Sequence, residues 1–179
     1  MPSRHLVTRL GFAALVAAWL VVGPAALRAA DPPPTPEAPA EQVIHDTAGL
    51  LDAGTIRTVT LVGDRIAEVT GMPLAVYARH ADDPGPDATR QRAEALLADA
   101  PGNGVVVLVE QDASGSRAEI AYAVAPDFEA LVPAETLDRI LTDSVRPVLG
   151  ASDPNAATIV AVARLLMELS GELPGGRYP

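Results

Sequence analysis

Any chemistry in this chain falls to its carboxylates. There is no cysteine and no lysine, and only His45 and His80 lie beyond the first thirty residues. Disulfides, thiolate catalysis, cysteine-ligated zinc and iron–sulfur clusters are therefore excluded. No Gly-x-Ser-x-Gly nucleophile turn is present. A glycine-rich phosphate loop closing on Lys-Ser/Thr is missing too, and so is His-x-x-x-His spacing. What remains is a set of acids: Asp46 beside His45, Asp82 and Asp83 shortly after Arg79 and His80, then Glu110 and Asp112. Oxygen ligands of this kind suit a hard cation, Ca²⁺ or Mg²⁺, and nothing points to an organic cofactor. The segment Asp112-x-Ser114-x-Ser116 has a faint look of a calcium loop, but the rest of an EF-hand is absent and it reads as a hairpin turn.

These acids matter only if the fold gathers them. Asp52 is a good N-cap, and Ile56, Val59, Val62, Ile66 and Val69 recur at helical spacing until Gly71 stops the helix. Pro73 to Tyr77 reads as a short strand, and Ala88 to Asp99 as a second helix. Gly104 to Gln111 is a β-branched run of the kind covered on both faces of a sheet. After the Asp112–Ser116 loop, Arg117 to Val124 alternates as a strand. A helix follows from about Ala134 to Val145, and another opens at Asp153-Pro154 and ends at Gly171. The order α-β-α-β-β-α-α demands one right-handed parallel crossover followed by a hairpin. This is an α/β fold, a three-layer α/β/α sandwich around a small mixed sheet. The topology carries His45 and Asp46 toward Arg79, His80, Asp82 and Asp83. It brings Glu110 and Asp112 out at the same edge, the edge where open α/β sheets bind ligands.

The N-terminus has a different character. Arg4, His5 and Arg9 precede an apolar stretch from Leu10 to Val22, then Gly23-Pro24 and a small-residue run to Ala30. These are the parts of a secretory signal, and an uncleaved anchor is the alternative for residues 1–30. Residues 31–41 form a proline-rich linker, residues 42–171 the folded domain and 172–179 a tail. The chain is thus expected to be exported, to a periplasmic or other extracytoplasmic location, with membrane contact only through its N-terminal segment. Removing Arg4, Arg9 and Arg28 leaves ten basic residues against 23 acidic ones, a net charge near −13. Such a domain repels phosphate backbones, so nucleic acid is not an expected partner.

The run Val43-Ile44-His45-Asp46-Thr47-Ala48-Gly49-Leu50-Leu51-Asp52 resembles the opening motif of the TPM domain, the family of the thylakoid-lumen acid phosphatase. The helix after it, Thr70-Gly71, and Asn103-Gly104-Val105-Val106-Val107-Leu108-Val109 fit the same pattern, which covers most of residues 42–170. After its third strand the family usually has a glycine–any–glycine–leucine–glutamate turn. Here that stretch is Tyr122-Ala123-Val124-Ala125-Pro126-Asp127-Phe128-Glu129. The resemblance implies the fold, and metal-dependent phosphomonoester hydrolysis in some members. Two functions follow as expectations. One is a non-catalytic binding module for a membrane-protein or envelope-assembly partner. The other is a weak divalent-metal-dependent acid phosphatase in which Asp46 and Asp112 hold the ion. A purely structural calcium site is a third.

Overall fold

The computed structural model describes residues 43–100, 102, 104–151 and 153–172. The expected signal or anchor (1–30), the linker (31–41) and all but the first residue of the tail (172–179) lie outside them. Among the described residues no helix is long and apolar enough to cross a membrane.

The chain opens with a strand that sequence pattern does not announce, β1 (Val43–Asp46). Helix α1 (Ala53–Thr70) follows, and Asp52 caps it by accepting the Thr55 N–H at 2.7 Å. The next elements are β2 (Leu74–His80), α2 (Pro86–Asp99), β3 (Val105–Gln111) and β4 (Ala118–Val124). After β4 come a 3₁₀ turn (Pro126–Phe128), α3 (Ala134–Ile140), α4 (Arg146–Leu149) and α5 (Pro154–Glu172). Sheet order is β1-β2-β3-β4, with the first three strands parallel and β4 antiparallel to β3. The expected α/β architecture with helices on both faces of a mixed sheet is present, with β1 as an added edge strand.

The two faces are unequal. Val105, Val107 and Val109 of β3 pack with α1, α5 and the α3–α4 segment in the main core. Val106 and Leu108 face the other way, onto α2, with Ala75, Ala93, Ala121 and Ala123. Strand alternation thus gives one thick core and one thin, alanine-rich one. Tyr122 ties β4 to the thick side by donating its hydroxyl to the Ala161 carbonyl at 2.9 Å.

One helix expected from Ala134 to Val145 is instead interrupted. Leu141–Val145 widens into a π turn between α3 and α4. Pro147 explains it: proline lacks an N–H for the carbonyl four residues back, and its ring would strike it. A wider turn relieves both problems. Gly104 sits just before β3 where only glycine fits, because a Cβ there would collide with the Met72 side chain.

Candidate functional site

The parallel strands β1, β2 and β3 end on one rim, and the five candidate acids lie along it. Asp46 closes β1. Its Oδ1 accepts the N–H groups of Leu50 at 3.0 Å and Ala48 at 3.3 Å, and its Oδ2 accepts that of Leu51 at 2.9 Å. The opening motif is therefore a loop brace in this chain. The aspartate ties down the turn that delivers Leu51 to the core, and Asp52 then caps α1.

Asp112 braces the hairpin in the same manner. It accepts the Ser116 N–H at 2.8 Å, the Ser116 hydroxyl at 2.7 Å and the Ser114 hydroxyl at 3.0 Å. The Ser116 hydroxyl foremost, with the Ser114 hydroxyl and nearby backbone N–H groups, holds its carboxyl down at about 2.

Glu110 is the most unusual of the set, a carboxylate with 0% of its side chain exposed. Arg79 Nε donates to it at 3.0 Å, Arg92 Nε at 2.8 Å and the Thr89 hydroxyl at 2.8 Å. Burial pushes this carboxyl up, but the hydrogen bonds from Arg92, Thr89 and Arg79 outweigh it and the net direction is down. Asp83 accepts Arg117 at 2.8 Å, while Asp82 is exposed. Arginines thus knit Asp83, Glu110 and Asp112 to their surroundings, with Arg117 also 3.9 Å from Asp112.

The rim gathers Asp83, Glu110 and Asp112 on the α2 side, and it leaves Asp46 apart from them. In register, Asp46 lies opposite Ala78 and Ala78 opposite Val109. Asp112 is three residues beyond Val109 and two strands over, so its backbone is more than about 10 Å from that of Asp46. Alternation also points them apart. Asp46 shares the parity of Ile44, which packs in the thick core, and Asp112 that of Glu110, which meets α2. A calcium ion needs oxygens within about 2.6 Å of itself. Among the described residues, no group of three or more His, Asp or Glu side chains stands where it could hold a metal ion. The set as arranged does not fit a cation: Asp46 stands apart from the others, and Asp46, Glu110 and Asp112 already accept protein donors.

A second feature sits around β4. A cleft of about 520 Å³ opens between α2 and α3. Arg90, Glu94 and Leu97 line it as one stripe of α2, at i, i+4 and i+7. Tyr122, Ala123 and Val124 form its strand wall, and Val132, Leu137 and Leu141 its apolar far side. Arg90 of α2 reaches Asp138 of α3 at 2.7 Å, an exposed ion pair worth less than about 1 kcal/mol. Glu94 and Glu129 also line the cleft, and among the described residues their carboxylates have no partner.

A TPM domain profile matches residues 44–168. The chain belongs to the TPM domain family. Solved structures of similar fold agree with its architecture. The N-terminal domain of a P. gingivalis protein is 19% identical with a TM-score of 0.57, over 75% of this chain and 85% of that one. An N-terminal domain from Corynebacterium glutamicum is 17% identical with a TM-score of 0.54, over 80% and 90%. The BA42 protein of Bizionia argentinensis is 11% identical with a TM-score of 0.51, over 72% and 88%. At these identities the likeness is one of fold. No curated protein matches the chain in sequence. Within this TPM domain, the stretch from Tyr122 to Glu129 supplies four lining residues of the cleft.

The sequence puts the acids on one rim and does not show which protein groups donate to them. Arg79, Arg92 and Arg117 carry that answer, and their spacing along the chain gives no sign of it. The cleft was missed altogether, since its walls come from three segments far apart in sequence.

Proposed function

We propose that this TPM domain is a non-catalytic binding module, exported and engaged with a membrane-protein or envelope-assembly partner. One observation carries the reading: at the rim where an α/β sheet would do chemistry, Asp46, Glu110 and Asp112 all accept hydrogen bonds from the protein itself. A carboxylate committed in this way is a brace, neither a free base nor an open metal ligand. The signal-like first thirty residues and the acidic charge accord with an extracytoplasmic setting.

A weak metal-dependent acid phosphatase is the competing reading, favoured by Asp46 and Asp112 lying along the same rim. Release from a chromogenic phosphomonoester, measured with Ca²⁺, with Mg²⁺ and with chelator, separates the two. The binding reading expects the background rate in all three. Metal-dependent turnover that disappears in a folded Asp46→Ala variant would overturn it.

A further inference from the structure

The α2–α3 cleft differs from the rim in having carboxylates to spare. Leu97, Val132 and Leu137 give its lining an apolar part, together with Tyr122. Three acids stand on its border against one arginine, and that arginine is already shared with Asp138. Glu94 and Glu129 are exposed, and no described cation neutralises either one. The chain as a whole carries a net charge of −10.

We propose that this cleft docks a basic, leucine-type segment of a partner protein, an apolar side chain entering beside Leu97 and Leu137 while Lys or Arg side chains meet Glu94, Glu129 and Asp138. The inference rests on the reading of the chain as a binding module and names the class of its partner. Charge decides between occupants. A phosphorylated or acidic segment meets repulsion at every border acid, and an uncharged apolar molecule leaves Glu94 and Glu129 unused. A basic segment is steered by the field of the whole domain and then held by desolvated apolar contact. The Arg90–Asp138 pair works as an internal competitor, since Arg90 occupies a carboxylate that a partner's cation would otherwise take.

The test titrates the isotope-labelled full chain with a synthetic peptide of alternating Lys and Leu and with its Glu–Leu counterpart. Saturable amide shifts are expected at Leu97, Tyr122, Val132 and Leu137 with the first peptide and none with the second. Glu94→Lys with Glu129→Lys should weaken the Lys–Leu peptide about tenfold, and Arg90→Ala should tighten it. Ala134→Trp, a surface change that adds bulk to the cleft wall, should block it without touching the core. No binding, shifts scattered over all exposed acids without saturation, or unchanged affinity in both the charge and the bulk variants would overturn the proposal. Failure here with no phosphomonoester turnover removes the cleft alone. Metal-dependent turnover removes the binding-module reading whatever the peptide does.

Discussion

At the rim, Asp46, Glu110 and Asp112 accept hydrogen bonds from backbone, serine, threonine and arginine donors within the domain. At the cleft, Glu94 and Glu129 face solvent with no such donors among the described residues. The same residue types therefore do different work a short distance apart. A carboxylate set among donors fixes local structure and resists acid. A carboxylate left on an apolar border has its bonding capacity open to a partner. The density of acids along the sequence does not tell the two apart; the donors folded around them do.

The contrast can be broken by stability measurements. The largest loss is expected for Glu110→Ala, which strands two guanidinium groups and the Thr89 hydroxyl. Arg79 and Arg92 are each about a third exposed (34% and 35%) and can turn partly to water. Urea denaturation should therefore show a loss of about 3 kcal/mol, at the low end for a broken buried pair. Asp46→Ala leaves three backbone N–H donors without their acceptor in one step and should cost about 2 kcal/mol in the same assay. A loss below about 0.5 kcal/mol at either position would mean the rim acids are not braces.

Acid sharpens the comparison further. Glu110 and Asp112 are held below their ordinary values, so their stabilisation is complete at neutral pH. It should fade as pH falls below the ordinary carboxylate range toward the Asp112 value of about 2. Glu119, opposite Glu110 in the ladder, behaves in the opposite sense. Burial raises its carboxyl, its Oε1 has no hydrogen-bond partner, and Arg146 stands 3.9 Å away. Its penalty is present at neutral pH and is lifted as it takes up a proton. Glu119→Gln should then stabilise the domain by up to about 1 kcal/mol at pH 7, with the gain shrinking toward pH 4. A pH series of melting curves for both proteins checks the crossing trends. The smallest effect is expected at the cleft: Arg90→Ala should change stability by less than about 0.5 kcal/mol, since both partners of its ion pair are exposed.

Much of the fold was legible because its long elements carry strong periodic signals. Helix α1 runs from its Asp52 cap to the left-handed Gly71, where pattern placed it. The β-branched run of β3 is buried on both faces, as its composition implies. Strand β1 was not legible: it has four residues, two of them His45 and Asp46, and its stability comes from pairing with β2. The π turn was hidden because local spacing reads straight through it, while Pro147 acts from two residues beyond it. Helix α5 likewise runs through Gly171, with no stop there. At the site, parallel topology was enough to put the acids on one edge. It did not assign them to faces, and strand parity separates Asp46 from Asp112. The arginine partners could not be inferred, because Arg79 and Arg92 meet Glu110 across tertiary register and across the layer between helix and sheet.

A residue-by-residue divalent-cation titration of the full chain tests the rim carboxylates most directly. Backbone amide shifts followed through increasing Ca²⁺ should be small, unsaturated and spread over exposed acids, with no convergence on Ala48, Leu50, Leu51 and Ser116. Saturable shifts focused on those four amides, lost in Asp46→Ala, would show that the rim holds a metal and would contradict the assignment of its carboxylates as braces.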